Sequence, residues 1–505
     1  MGYSLRARLV KRWFQRTAAD GSIDDDTMLS KCDQAERLLD AILARNIVPS
    51  LPLYLLTLLQ SIDAGSSSGF EESGLGEYYD FLVKEGLRTA GVQKQHWGSM
   101  IEYCSHLAWQ LHATEHKELT LDELRAFNDR FSKEQHRVDF NTRLRDLVRA
   151  RILAEHGQYV RFRYHYIYYF LKGRYLASQL EDLATQAYIR ECCAHLYVRE
   201  NANTILFLAH HAFKNPMFLE CVVQAVTTPF KSSSPIQFNG SDTGPVAEFV
   251  RDLPKLAYNG EDPEKMRDKS HRTRDELDNG HDGLADNKRA GGELDFLAEL
   301  IALFKTVEIL GQIVKNQMAS VPREKRVQLL KLLMEGPLRA LTAYFDMFMT
   351  DRDVAEREIA AMLEKRNVIS DQNERQKMAK RLLAYFLQLV SYGFVAKAVS
   401  SVSSDALQED VDAAAKSLNS PAAKLIALGV RLDGPGKLPR SELSKAITET
   451  KSDFMAARVL QFLTLRRLYM FRTSAQDQQW LASQEVLDIK AQQAVAFRTR
   501  RTKLL

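Results

Sequence analysis

Apolar residues return every three or four positions along most of this chain, as in Leu294, Leu297, Leu300, Ile301, Phe304, Val307, Leu310 and Val314. Such spacing places one stripe on one face of a helix, and strict alternation is rare, so the expected fold is mainly α. Polar stretches mark the joints. DAGSSSGFEESGLG, from Asp63 to Gly76, reads as a loop, and KSSSPIQFNGSDTGP (231–245) reads as a second break. Residues Asn259 to Gly292 hold almost no large apolar groups to offset the entropy of ordering, so they read as a flexible polar linker. The pattern divides the chain into a helical block over 1–95, a compact module over 96–180, a helical region over 181–255, the linker over 256–292 and a helical array over 293–505. Within the array, helices are expected to stop at MEGPLRAL, SDQNER and RLDGPGKLPRSE.

The module over 96–180 has a particular order of elements. A helix from Trp97 to His112 is followed by a second that opens on a capping box, Thr120 with Glu123 three residues on. VDFNTRLRDLVRARIL supplies a third helix, and ILAEHGQYVRFRY reads as two short strands about His156 and Gly157. Three helices followed by a β-wing describe a winged helix. Val160, Phe162 and Tyr164 alternate with Arg161 and Arg163, which turns the arginines outward. From His165 the period becomes helical, and Ile167, Phe170, Leu171, Tyr175 and Leu176 form the expected buried stripe. The crowded rings of VRFRYHYIYYFLKGRYLA are thus read as a packed strand-to-helix corner. Arg161, Arg163, Lys172 and Arg174 exclude a membrane span there, and the apolar run IVPSLPLYLLTLLQ is short and broken by Pro49 and Pro52, so no membrane partner is expected.

Charge adds little globally, since 69 basic and 65 acidic residues leave a formal +4. Locally, Arg143, Arg145, Arg149 and Arg151 on the third helix, with Arg137 before it and Arg161 and Arg163 on the wing, have the layout of a DNA-reading winged helix. The other reading is an arginine-rich solvated face or an interdomain contact, and Asp139 and Asp146 dilute the patch. Five cysteines without CxxC spacing fit reduced, buried thiols, and MGYSLRARLVKRWFQR lacks the apolar core of a secretion signal, so a cytoplasmic location is expected. The histidines form no metal frame, and DNGHDG (278–283) lacks the spacing and glutamate of a calcium loop. GPGK at 434–437 has Arg431 where a phosphate loop needs its first glycine and Leu438 where it needs a hydroxyl, so it reads as a turn. No catalytic residue and no metal site are assigned.

The helical block containing NIVPSLPLYLLTLLQ, the winged helix, and FRYHYIYYFLKGRYLASQL together resemble the part of a STAND-class signalling NTPase that follows its nucleotide-binding core, the class that includes the NACHT and apoptotic-ATPase families. Their winged helix often ends in F-x-H-x-x-[FIL]-x-E-[FY]-[LF]-A-A-x-x-L. Phe162, Ile167, Phe170, Leu171 and Leu176 fit that phrase, whereas Tyr164, Tyr169, Lys172 and Gly173 depart from it. ENANTILFLAHHAFKNP and TVEILGQIVKNQMASVPREKRVQLL resemble the helical region of bacterial STAND proteins of antiphage defence.

The resemblance implies a switch between an ADP-closed and an ATP-open state, with the residues from Glu293 onward as sensor of a trigger ligand, such as a phage protein. It implies an effector domain, oligomerisation, and residue roles. Pro52 of SLPL takes the place of an adenine-packing proline, with Ser50 in place of the glycine before it; Tyr164 takes the place of a histidine that touches the β-phosphate, with His165 beside it. The P-loop, Walker B strand and sensor arginine should lie ahead of Met1, so the expectation is a reading frame that begins late, the alternatives being an upstream module on another polypeptide or a degenerate regulator. ATP or ADP with Mg would bind only with that core, and hydrolysis by this chain alone is not expected. The alternative function is a winged-helix DNA-binding regulator with a helical ligand domain, using Arg143, Arg145, Arg149 and Arg163; a nucleotide-free helical scaffold is the third reading.

Overall fold

The computed structural model describes residues 1–17, 24–43, 52–61, 75–137, 139–251, 253–280, 295–316, 318, 320–366, 369 and 371–488. Most of the loop read at Asp63 to Gly76 lies outside these, though Leu75 and Gly76 already begin a helix. The fold is mainly α, in two compact units. The first takes residues within 1–17 and 31–222, and the second takes 24–30 and residues within 223–280 and 295–488.

In the first unit the elements are α1 (Tyr3–Thr17), most of α2 (Asp25–Leu43), α3 (Pro52–Ser61), α4 (Leu75–Thr89), α5 (Trp97–Ala113), β1 (Leu119–Thr120), α6 (Leu121–Glu134), α7 (Phe140–Arg149), β2 (Leu153–His156), β3 (Tyr159–Phe162), α8 (His165–Ser178), α9 (Leu183–Ala194), α10 (Arg199–Ala212) and the start of α11 (Pro216–Thr227). The capping box forms as the sequence specifies. Glu123 N donates to Thr120 Oγ1 at 3.2 Å, and Thr120 N donates to Glu123 Oε2 at 2.7 Å. Asp139 caps α7 by accepting from Thr142 N at 2.9 Å. The hairpin turns at Gly157, whose φ of +62° suits a residue without Cβ. The antiparallel sheet has the order β1-β3-β2, with Leu119 opposite Val160 and Leu153 opposite Phe162. Val160 and Phe162 point into the core and Arg161 into solvent, as the alternation requires.

Helix α8 departs from the expected single stripe. Tyr166, Lys172 and Gly173 are buried along with Ile167, Phe170, Leu171 and Leu176, while Tyr175 is only half-buried. The reason is tertiary, because α5 and α10 pack on two sides of α8 and α4 adds a third contact. Rings fill the junction: Tyr79 of α4 lies 4.8 Å from Phe207, 5.3 Å from His210 and 6.0 Å from Phe170, centroid to centroid. A Cβ on Gly173 would stand 2.9 Å from Phe207 C and Leu208 N, so this glycine lets α10 approach by its backbone.

The second unit continues α11 into α12 (Gly244–Arg251), α13 (Pro263–Gly280), α14 (Phe296–Asn316), α15 (Arg323–Lys365), α16 (Gln372–Val402), α17 (Gln408–Leu418), α18 (Pro421–Leu432), α19 (Arg440–Glu449), α20 (Phe454–Met470) and α21 (Ala475–Ser483). The expected helical region over 181–255 is divided between the units, since its residues from 223 onward that the structure describes join this one. Arg339 Nη2 donates to Val226 O at 2.6 Å, and Phe230 N donates to Glu299 Oε1 at 2.7 Å. Arg458 of α20 donates to the carbonyls of Val250, Leu253 and Pro254. Asp453 caps α20 at Ala456 N and also accepts from Gly240 N and Thr243 Oγ1.

Two expectations are corrected here. The tract read as a flexible linker contains α13, which buries Arg267 and His271 and packs on α20; Pro263 starts it, and an Arg272–Asp268 pair at 2.7 Å supports its solvent side. Its remainder, from 281, lies outside the described residues. Second, MEGPLRAL does not stop a helix, for Pro337 lies inside the 43-residue α15. The lost hydrogen bond there is offset by packing, with Gly336 giving Leu303 of α14 room to approach. By length and composition alone α16 could cross a membrane, with a mean hydropathy of 1.5 over its best window, but half of that window is buried inside the protein, as in the core helix of a water-soluble fold.

The GPGK segment forms the turn between α18 and α19, held by Arg467 donating to Gly436 O.

Two outcomes test this packing. Gly173→Ala should destabilise the protein by about 1–3 kcal/mol through overpacking, read from the denaturant midpoint. Burial holds His210 near a pKa of about 3 and His211 near about 4. Both are below the unfolded value of about 6.5, so their contribution is complete above that pH and is lost as pH falls from there towards 4. The melting temperature should drop across that window, and His210→Phe should flatten the drop.

Candidate functional site

The hairpin delivers its end to the start of α8, where several of the expected residues gather. Tyr164 is the N-cap residue, with extended φ of −133°, and its half-buried ring stacks on Tyr166 at 6.0 Å. Arg163 places its guanidinium 5.7 Å over the Tyr164 ring and is exposed. His165 follows, exposed as a residue. Its pKa is nonetheless held below the ordinary value, first by the covered part of its ring and then by the charges of Arg199, Lys117 and Arg161. The charges of Arg199, Lys117 and Arg161 are thus felt at the start of a 14-residue helix, whose unpaired N–H groups favour an anion. Pro52 is exposed at the first position of α3, on a different helix.

The basic helix separates into two kinds of arginine. Arg143 is half-buried, donates to Ser99 Oγ at 2.9 Å and lies 5.4 Å over the Tyr103 ring, so it fastens α7 to α5. Burial lowers its pKa. Arg145 and Arg149 face solvent, Arg145 beside Asp146 at 3.3 Å. Gly86 of α4 sits against the Ala150 carbonyl, so protein covers the end of α7. Of the four arginines singled out, Arg145, Arg149 and Arg163 are exposed, whereas Arg143 is half-buried and engaged with Ser99 and Tyr103.

One cluster was missed by the sequence reading. Lys172 is fully buried in α8, its Nζ 3.3 Å from Glu200 Oε1 and within 5.3 and 5.7 Å of the Tyr188 and Tyr168 ring centres. His112 Nδ1 approaches the same carboxylate oxygen at 3.6 Å. Burial lowers the Lys172 pKa, while His112 and then Lys172 pull Glu200 down to about 2 against the desolvation that opposes them. The available signal was the lysine itself, standing among rings where the resembled phrase has alanine.

Residues 117–171 match the family Novel STAND NTPase 4, so this stretch of the chain is similar to that family. The match covers β1 through the first half of α8, the part of the molecule that carries Arg143, Arg145, Arg149, Arg163, Tyr164 and His165. Comparisons with curated proteins and with solved structures give no match.

Glu200→Gln should destabilise by about 1–3 kcal/mol at neutral pH, less than for a fully buried pair because half of Glu200 is in water. Lys172→Met should be neutral or stabilising. The lysine's depressed native pKa makes stability rise with pH towards its unfolded value of about 10, and this variant should remove that rise in urea titrations.

Proposed function

We propose that this chain is a regulatory and sensor segment of a STAND-type signalling ATPase of bacterial antiphage defence. Its helix–strand–helix–helix–hairpin module is read as the winged helix that closes over ADP. The observation that carries this reading is the family match over 117–171 together with the cations around His165 at the start of α8. In this reading His165 and the α8 N-terminus face the nucleotide phosphates. Tyr164 donates a hydrogen bond without ever carrying a cationic charge, and Pro52 packs on the adenine. Mg and ATP or ADP bind in a P-loop core that this chain's residues do not supply, so the chain itself regulates hydrolysis without performing it. The helices from α14 onward serve as the sensing surface for the trigger, and a ligand that prefers the open form by several kcal/mol shifts the population. Effector and core belong to the same longer protein or to a partner, and the protein works in the cytoplasm.

The alternative is a DNA-binding regulator, favoured by the exposure of Arg145, Arg149 and Arg163. Duplex-DNA anisotropy separates the two. The first reading expects no steep salt-dependent binding. Such binding, abolished by Arg145→Glu with Arg149→Glu, would replace it with the second.

The positive test begins with the DNA ahead of Met1, where an open frame containing GxxxxGK[ST] is expected. In the protein joined to that core, Tyr164→Phe and His165→Ala should each weaken ADP about tenfold by calorimetry, the worth of one hydrogen bond to a charged group. Unchanged affinity in both variants overturns the clamp.

A further inference from the structure

Helix α16 is apolar on two faces. One, through Ala379, Leu383, Ala384, Leu387, Phe394 and Val395, is buried within the second unit. The other carries Met378, Leu382, Tyr385, Phe386 and Leu389, each between 36% and 56% exposed. The steps from Met378 to Leu382, Tyr385 and Leu389 are four, three and four residues, a seven-residue repeat of the kind that seats one helix along another. Arg381 flanks the face on the edge opposite Phe386, exposed and without an ion-pair partner among the described residues. Gly393, two turns beyond Phe386, has open space where a side chain would be, so nothing there blocks an approaching helix.

We propose that this face docks on the same face of a second copy of the chain, with the two α16 helices antiparallel about a two-fold axis between Leu382 and Tyr385. In that register Met378 meets Leu389 of the partner subunit, and Leu382 meets Tyr385 of the partner subunit. Phe386 and Arg381 flank opposite edges of the stripe, so the two Phe386 rings line one edge of the seam while the two Arg381 guanidinium groups reach solvent along the other. The pairing is isologous, each contact occurring twice. A parallel arrangement would set tyrosine on tyrosine and align the helix dipoles unfavourably.

The five side chains offer roughly 400–500 Å² per copy, which with flanking residues reaches about 1,000 Å² in total, the lower limit of a specific interface. The dimer is therefore reversible and concentration-dependent. A bilayer is the poorer occupant, because it requires no seven-residue repeat and would have to accept Arg381. This inference does not depend on the nucleotide reading.

Analytical ultracentrifugation of the whole chain tests it. A monomer–dimer equilibrium is expected, and Leu382→Glu with Phe386→Glu should raise its Kd at least about tenfold without altering circular dichroism. Met378→Cys combined with Leu389→Cys should give an oxidised, covalently linked dimer, whereas Met378→Cys alone should not; the five native cysteines are buried and do not interfere. A wild-type chain that stays monomeric at every concentration overturns the proposal, as does a dimer indifferent to the glutamates. Flotation with anionic vesicles that the glutamates abolish overturns it in favour of a membrane. If the glutamate variant misfolds, the cysteine pair decides, and absence of its linked dimer counts against the interface.

Discussion

The first unit depends on enclosing α8 between α5 and α10 at backbone distance. Gly173 sets how near α10 can come, and that nearness removes water from Lys172 one residue earlier. A buried ammonium is tolerated only with an anion beside it, so Glu200, at the start of α10, has to stand where it does. Two tyrosine rings complete the cage. Close packing and charge burial are thus one constraint, met by residues from α8, α9 and α10.

The hairpin inherits its position from the same enclosure. With α8 packed between α5 and α10, the end of β3 brings Arg163, Tyr164 and His165 to its start. Hydrogen bonds from Arg163 N to Ile152 O and from Leu121 N to Gln158 O hold the sheet against its flanking helices. The second unit solves a different problem. Its long helices are interrupted by polar ties: Asp410 receives both Arg323 and Arg326, and Asp433 receives Arg466, so carboxylates buried at helix ends fix the register of α15, α17, α18 and α20.

Much of this was legible in the chain because it is local. The period of the apolar residues specified helices, the Thr120–Glu123 box and Asp139 specified two of their starts, and the alternation through Val160, Arg161 and Phe162 specified a strand with its faces assigned. Each depends on residues within four positions of one another, and propensity and pattern act at that range. The resemblance of this same stretch to STAND proteins was legible for the same reason, since its motif is a local spacing of rings and aliphatics.

What only the tertiary structure decided concerns partners distant in sequence. Arg143 and Arg145 look alike in the chain, yet Ser99 and Tyr103, some forty residues earlier, draw the first into the core and leave the second in water. Pro337 carries a helix-stopping signal that packing from α14 overrode, and the polar tract at 263–280 became a helix because α20 offered it a surface. Lys172 reads as a surface charge until α9 and α10 close over it. A sequence states each residue's own preferences, but burial is a property of what other segments bring to the same place, and that sum is settled only when the chain is folded.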